Sequence, residues 1–221
     1  NFPNESIQSG VAVVDTKTGA IRAIGGGRNY GTDLLWNRAT DIKGRSPGST
    51  AKPLVAYGPA IENLKWSTGH TTVDEKMTYP NTNQVISNWD GKYNGTMTIR
   101  EALYTSRNVP AVKTLLEVGL EKPKQFLNNL GIKIDTIYPS TTLGPKLNIS
   151  PIQMAAAYAA FGNNGVFSEA HAITKIVYRD GVTEKNYTPA SKVAMSDYTA
   201  YMVTDILRDT VSNLPGASGN Y

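Results

Sequence analysis

The sequence predicts an α+β fold, in which an antiparallel sheet is flanked by helices and a helical subdomain is inserted. Segments with strand character lie towards both ends of the chain, at residues 8–24 and 172–178. Helical periodicity and capping signals fill the block between them. The chain has 221 residues, 40% of them hydrophobic, which is enough for a substantial core. Strands that flank a block of helices are typical of the α+β class.

The first 40 residues are predicted to form the opening hairpin of the sheet. Gln8 to Asp15 forms the first strand, a turn at 16–19 follows, and a second strand covers 20–24 before three glycines. The glycine run is not a phosphate-binding loop, because no helix and no Gly-Lys-Ser/Thr sequence follows it. Residues 1–4 are interpreted as a linker.

Residues 41–170 are predicted to be mainly helical. Helices are expected after Ser49, after Thr98 with Glu101 as a capping box, after Asn108 as N-cap, over Pro123 to Leu130, and after Ser150 with Gln153 as a second capping box. The polar, aromatic stretch from Lys65 to Asn94 is expected to be irregular and to lie over a site.

Residues 171–221 are predicted to contain a strand, a turn at Arg179-Asp180-Gly181 and a last helix capped by Ser196. A terminal loop is expected from Asn213. Neither end resembles a natural terminus, and no signal peptide or membrane-length apolar run is present. The sequence is therefore expected to be a piece of a longer protein.

The residues around Ser49 are the first that suggest chemistry. Ser49 and Lys52 are three positions apart at the start of a predicted helix, so the hydroxyl and the amine can meet on one face. A serine needs a base to become nucleophilic, and a lysine can serve when burial or nearby positive charge disfavours its ammonium form. On its own the spacing more often means an N-cap serine beside a solvated lysine, because such short patterns are frequent, and only the surrounding residues can favour chemistry.

Composition excludes several other kinds of site. The net charge is +4 without a run of Lys or Arg, and no stacking module of interleaved aromatics is present, which argues against nucleic-acid binding. There is no cysteine, so disulfides and thiolate metal sites are excluded. The two histidines, His70 and His171, are isolated and have no metal-ligand spacing. No cofactor or metal is implied.

Several longer segments resemble one known family. SPGSTAKP, with Ser49 and Lys52, is similar to the first motif of the penicillin-binding proteins, and Ser106-Arg107-Asn108 in REALYTSRNVPAV is similar to their second. VAVVDTKTGAIRAIGGG, NWDGKYNGTMTIREAL and SPIQMAAAYAAFGNNGVF resemble the surrounding segments. The resemblance covers most of the chain and is best for the transpeptidase domain of the bifunctional, class A proteins. It implies the sheet-and-helix fold shared with serine β-lactamases.

The resemblance also implies a reaction and residue roles. Ser49 would attack the carbonyl of a D-Ala-D-Ala peptide to form an acyl-enzyme, and Lys52 would take its proton. Ser106 would relay a proton to the leaving amine, while Asn108 would hold the substrate amide and the lysine. Trp89 would line the cleft, although an ordinary packing role fits it as well. The implied partners are peptidoglycan stem peptides and β-lactams, which would acylate and inhibit the enzyme.

The family's third motif, Lys-Thr-Gly on a strand well after the second motif, is absent. Lys17-Thr18-Gly19 has these letters but lies in a predicted hairpin turn before Ser49, and Ser218-Gly219-Asn220 has the letters of the second motif in a terminal loop. Residues 1–221 are therefore expected to be an incomplete transpeptidase domain. A second chain or segment that carries Lys-Thr-Gly would pack against it and complete the sheet.

Two other functions share the Ser-x-x-Lys sequence. A serine β-lactamase hydrolyses its acyl-enzyme, but Glu121, the nearest candidate for the deacylating glutamate, has the wrong spacing. A non-catalytic β-lactam sensor would be acylated without transferring the acyl group. The class A context favours a transpeptidase on the extracytoplasmic face of the bacterial membrane, in a parent protein with a membrane anchor and an upstream glycosyltransferase domain.

Overall fold

The structure, a computed structural model, describes Asn4 and residues 6–28, 36–41 and 43–213. The predicted linker at residues 1–4 lies largely outside the described residues. The predicted terminal loop lies beyond them apart from Asn213, and so does the Ser-Gly-Asn sequence at 218–220.

Short strands and helices follow one another along the chain. The strands are β1 (Val11–Val14), β2 (Ile21–Gly25), β3 (Thr71–Asp74), β4 (Met77–Thr78), β5 (Val85–Ile86), β6 (Gly95–Thr98), β7 (Val166–Ser168), β8 (Lys175–Val177), β9 (Glu184–Asn186) and β10 (Ser191–Val193). The α-helices are α1 (Gly58–Leu64), α2 (Ile99–Tyr104), α3 (Asn108–Val118), α4 (Glu121–Asn129), α5 (Pro151–Phe161) and α6 (Asp197–Asn213). Two 3₁₀ turns cover Gly48–Ala51 and Pro139–Leu143, and a π-helical segment covers Pro53–Tyr57.

The opening hairpin is present where it was predicted. β1 and β2 pair antiparallel, with Ala12 opposite Ile24 and Val13 opposite Ala23. The Asp15 carboxylate accepts hydrogen bonds from the backbone N–H groups of the next turn, which fixes the turn between the strands. Residues 17–19 lie in this turn, so their Lys-Thr-Gly sequence is a hairpin connection.

The stretch from Lys65 to Asn94 is more regular than predicted. β3 pairs antiparallel with β6, so that Thr71 lies opposite Thr98, and β4 pairs with β5. The prediction of irregular structure was wrong here because the strands have only two to four residues. An alternating pattern needs a longer run before it stands out from the surrounding turn residues.

The main core lies among the helices. The π-helical segment contributes Leu54, Val55 and Tyr57, all fully buried, and α2, α3 and α4 pack around it. The small side chains of α5 allow close packing, and the same core continues to Val203 and Ile206 of α6. α5 also packs on β1. The hairpin and the last helix thus hold the helical block in place from two sides.

Candidate active site

The loop before the π-helical segment presents Ser49 at the surface. Gly48 has a positive φ of 60° and starts the 3₁₀ turn, in which the Thr50 hydroxyl donates to the carbonyl of Pro47 at 2.8 Å. Gly144 lies directly against this turn, since a Cβ at Gly144 would be 2.5 Å from the Gly48 nitrogen. The close contact sets the position of the Ser49 turn.

Lys52 follows one turn later and is fully buried. Its Nζ donates to the Ser106 carbonyl at 2.6 Å, to the Ser106 Oγ at 3.0 Å and to the Asn108 Oδ1 at 2.8 Å. An ammonium group has three donors, and here each has one acceptor. The structure therefore brings together three of the predicted site residues, from segments more than 50 positions apart in sequence.

The environment of Lys52 favours its neutral form. Burial, and secondarily the positive charge of Arg107, lower the pKa of the amine from 10.5 to about 7. A substantial fraction of the molecules then carries a neutral amine at pH 7, whereas an ordinary lysine would be almost fully protonated. A neutral amine has a lone pair and can accept a proton.

The turn between α2 and α3 presents the acceptors to Lys52. Ser106 adopts a left-handed backbone conformation with φ of 57°, which is uncommon for a residue with a Cβ. Asn108 opens α3, and its Nδ2 donates to the Ser87 carbonyl at 2.7 Å, which leaves Oδ1 for the lysine. The expectation that Asn108 caps α3 was wrong, because its side chain is turned away from the helix to Lys52 and Ser87.

Ser49 does not touch the lysine amine in this arrangement. Its hydroxyl has no hydrogen-bond partner in the part of the chain that the structure describes, and the side chain is exposed. The predicted contact between the hydroxyl and the amine is therefore absent here. The two residues only share one turn, in which the backbone N–H of Lys52 donates to the Ser49 carbonyl. The hydroxyl is open to an approaching ligand.

Trp89 lies beside the same turn. The residue is 65% exposed, and its Nε1 donates to the carbonyl of Thr105 at 3.1 Å. An exposed indole that is fixed at one edge can offer its face to a ligand. A ligand-binding role for Trp89 stays a prediction.

Sequence reasoning missed the polar groups behind the turn. Arg107 is buried and forms an ion pair with the fully buried carboxylate of Asp74, while Asn88 joins Asp74 to Asn108. The concentration of Asn, Asp and Gly in residues 88–95 was a signal for a polar cluster, but nothing in it indicated a partner in β3.

Two features of the described residues concern metal ions and membrane-spanning helices. Among them, no three His, Asp or Glu side chains converge so that they could hold a metal ion. Within the same residues, no helix has the length and apolar character needed to cross a bilayer.

The chain matches a described family over nearly its whole length. Residues 9–220 match "Penicillin binding protein transpeptidase domain". This chain belongs to the penicillin-binding protein transpeptidase family. The Ser49, Lys52, Ser106 and Asn108 positions all lie within the match.

Individual relatives agree with the family match. "Penicillin-binding protein 1A/1B" of Bacillus subtilis is 45% identical over 217 residues, which are 96% of this chain and 23% of that protein. The crystal structure of penicillin-binding protein 1A from Haemophilus influenzae has a TM-score of 0.81 at 22% identity, covering 96% of this chain and 36% of that one. The D,D-transpeptidase domain of a peptidoglycan glycosyltransferase from Eggerthella lenta has a TM-score of 0.73 at 21% identity, covering 95% and 64%. The α+β fold of the penicillin-binding proteins is thereby confirmed, and the chain spans about a quarter of the curated relative.

Proposed function

We propose that this chain is the part of a class A D,D-transpeptidase that carries the nucleophile and its base. The substrate is a peptidoglycan stem peptide that ends in D-Ala-D-Ala, and β-lactams acylate the same serine. The observation that supports this most directly is the buried Lys52 amine, with its pKa lowered to about 7, one turn after an exposed serine. Ser106 and Asn108 contact that amine.

The proposed acylation follows from these contacts. In the neutral amine two N–H groups suffice for the Ser106 carbonyl and Asn108 Oδ1, so that the lone pair is available for a hydroxyl proton. Ser49 Oγ attacks the carbonyl carbon of the penultimate D-Ala, and Lys52 takes the hydroxyl proton. Ser106 passes its hydroxyl proton to the nitrogen of the terminal D-Ala as the peptide bond breaks, and regains a proton from Lys52, which it contacts. The amine of a second stem peptide then attacks the ester and gives up a proton to the neutral Lys52. As the ester bond breaks, the cross-link forms and the Ser49 oxygen leaves and takes that proton.

The carbonyl oxygen becomes negative in the transition state and needs donors. The backbone N–H of Ser49, in the first turn of the 3₁₀ segment, can supply one. A second donor would come from a segment with the Lys-Thr-Gly sequence, which we propose packs against the opening hairpin. Val11 and Val13, which lie on one face of β1, are 54% and 48% exposed and would be covered by such a segment.

The family also suggests a cellular setting. We propose that the complete protein acts on the extracytoplasmic face of the bacterial membrane, with a membrane anchor and an upstream glycosyltransferase domain. The partner molecules are then the stem peptides of neighbouring glycan strands and, as inhibitors, β-lactams.

The test is intact-mass analysis of the complete natural protein before and after incubation with a labelled penicillin, followed by peptide mapping. One adduct on Ser49 is expected, with no adduct in Ser49→Ala. Ser46→Ala is the matched control, an exposed serine in the same loop that should be acylated like the wild type.

The lifetime of the adduct separates the proposal from its alternatives. A stable ester together with transfer to an amine acceptor supports a transpeptidase. Rapid hydrolysis would instead indicate a β-lactamase, and a stable ester without any transfer would indicate a sensor. Absence of an adduct in the wild type would overturn the proposed mechanism.

A further inference from the structure

We propose that Arg107 is a positioning residue for the proton-transfer groups, fixing through Asp74 and Asn88 the turn that presents Ser106 and Asn108 to Lys52. This inference rests on the proposed function and concerns the same site. It adds to that site a buried cation whose side chain hydrogen-bonds Asp74, Asp90 and the Lys92 carbonyl.

Every nitrogen of the Arg107 guanidinium is used. Nε donates to Asp74 Oδ2 at 2.8 Å, Nη1 to Asp90 Oδ2 at 2.9 Å, and Nη2 to the Lys92 carbonyl at 2.7 Å. The side chain is only 2% exposed. A planar group held at three corners cannot rotate, so the backbone of residue 107 is fixed between the two residues that contact Lys52.

A second connection runs through side-chain amides. Asn88 Nδ2 donates to the other oxygen of Asp74 at 2.8 Å, and Asn88 Oδ1 accepts the backbone N–H of Asn108 at 2.7 Å. The Asp74 carboxylate therefore holds the turn from both sides, through Arg107 and through Asn88. Because α3 begins at Asn108, this contact also satisfies one of its free N–H groups.

The fixed turn includes a strained residue. The left-handed conformation of Ser106 directs its carbonyl to the lysine, and without support such a residue would relax towards the commoner right-handed region. Arg107 and Asn108 follow it immediately and are the two residues that the network holds. The contacts thus maintain the conformation that supplies two of the three Lys52 acceptors.

The same cation acts on the base electrostatically. Among the described residues, the charge of Arg107 lowers the pKa of Lys52 in addition to the effect of burial. The other residues that contact the amine, Ser106 and Asn108, do not titrate near neutral pH. Arg107 itself faces Asp74 and Asp90. The hydrogen bond from Arg107 lowers the pKa of Asp90, so this carboxylate stays charged where the lysine titrates.

The test uses the complete natural protein and a fluorescent penicillin. The second-order acylation rate is measured from pH 5 to 9, together with the thermal midpoint, for the wild type and for the double variant Arg107→Gln/Asp74→Asn. The double variant removes both buried charges and so leaves no buried ion unpaired, while Asp90, which is partly exposed, loses its Arg107 partner. Arg100→Gln is the matched control, an arginine seven positions earlier on α2 that pairs with Asp205 and Asp209 on α6.

The double variant is expected to acylate about tenfold more slowly at pH 7, a fraction of the 10²- to 10⁴-fold that a general base contributes. The rise of its rate with pH should also occur at a higher pH than in the wild type, because loss of the positive charge beside Lys52 raises the pKa of the amine. Arg100→Gln should keep the wild-type rate and profile. A folded double variant with the wild-type rate and profile would overturn the inference, since a merely structural pair would change only the thermal midpoint.

A milder variant covers the case in which the double variant does not fold. Asp90 is partly exposed, and Asp90→Asn leaves the buried pair of Arg107 with Asp74 intact. Without the Asp90 carboxylate, less of the Arg107 charge is compensated, so the pKa of Lys52 should fall and the rise in rate should move to lower pH. If the rise does not move, the inference is overturned. If the wild type itself is not acylated, the proposed function fails, which is a different outcome from unchanged variants of an active protein.

Discussion

At the scale of single residues, the site depends on how Lys52 is buried. An ammonium without partners would be very costly to remove from water, and proteins reduce that cost by hydrogen bonds or by losing the proton. Lys52 does both, since it has three acceptors and a pKa lowered to about 7. The amine therefore has partners in the charged form and a lowered cost of losing its proton, which suits the proposed transfer of a proton to and from it.

Lys52→Met should separate chemistry from stability. Methionine fills a similar volume without a charge, so the packing should be kept. The acceptors of Lys52 lose one buried partner, and we therefore expect the thermal midpoint to fall by a few degrees. Acylation by a fluorescent penicillin should fall at least about 10²-fold. The wild-type rate should rise as the pH passes about 7, where the amine becomes neutral, and the residual rate of the variant should lack this rise.

Lys113→Met is the matched control for this experiment. Lys113 lies on α3 and pairs with Glu75 at the surface, away from the turn. It should keep the wild-type rate and pH profile. A Lys52→Met variant with a wild-type rate would contradict the proposed role of Lys52 as base.

At the scale of helices, the capping box predicted at α2 is half present, since Thr98 accepts from the Glu101 N–H and the structure gives no return bond from the Glu101 side chain. The capping box of Ser150 and Gln153 was predicted and is present at α5. Ser196 was expected to cap α6 with its side chain, but its hydroxyl donates to Glu62 instead. Asn108 does not cap α3 for the same reason, because its Oδ1 accepts a hydrogen bond from Lys52. Sequence neighbours identify a cap, but not a partner that reaches it from another segment.

Glu62 replaces the expected cap of α6. Its carboxylate accepts from the Ser196 N–H and hydroxyl and from the Thr199 hydroxyl, at the positive end of the helix. Glu62→Ala should lower the free energy of unfolding by about 1–2 kcal/mol, the usual effect of losing a cap. Thermal denaturation measures this loss. Acylation per folded molecule should not change, and a loss of acylation in the folded variant would contradict a purely structural role.

Gly144 should matter for the position of Ser49. A Cβ at Gly144 would lie 2.5 Å from the Gly48 nitrogen and 2.6 Å from the Ser46 Oγ, so Gly144→Ala must displace the Ser49 turn. We expect acylation to fall at least about tenfold, because misplacing a reacting group by about 1 Å can cost 10²-fold. The rate of penicillin acylation on folded protein measures the effect.

Gly181→Ala provides the control for backbone strain. Gly181 also has a positive φ, but a Cβ there meets no atom within 4 Å. This variant should lose about 1–2 kcal/mol of stability from its left-handed conformation and keep the wild-type acylation rate. Equal losses of acylation in both variants would contradict the steric explanation.

At the scale of the whole molecule, the sequence indicated the chemical groups but not their support. Ser49, Lys52, Ser106 and Asn108 stand in short motifs, so resemblance could place them. The pair of Asp74 and Arg107 joins residues 33 positions apart and leaves no periodic pattern. The short strands between Lys65 and Asn94 were missed for a related reason, since two residues are too few to show alternation. Both the ion pair and the short strands depend on contacts between segments distant in sequence, which a local pattern does not show.

The exposed face of the opening hairpin leads to a prediction about the complete protein. If the proposed segment covers this face, Val13→Lys should cost several kcal/mol of stability there, because an unpaired charge would be buried. In residues 1–221 produced alone the same change should stay within about 0.5 kcal/mol, since Val13 is already 48% exposed. Val182→Lys, at an 84% exposed position, should be neutral in both. Equal effects of Val13→Lys in the two proteins would contradict coverage of the hairpin.

The acceptors of Lys52 have a consequence for how the chain folds. The amine is 54 positions before Ser106, so a loop of that length must close before Lys52 can be buried with partners. Until then, collapse of the neighbouring apolar residues would trap a lone ammonium, which disfavours a compact intermediate built on this segment alone. During refolding from denaturant, the ability to react with penicillin should therefore be regained together with the last burial of the core. Labelling during refolding would then count fully folded molecules.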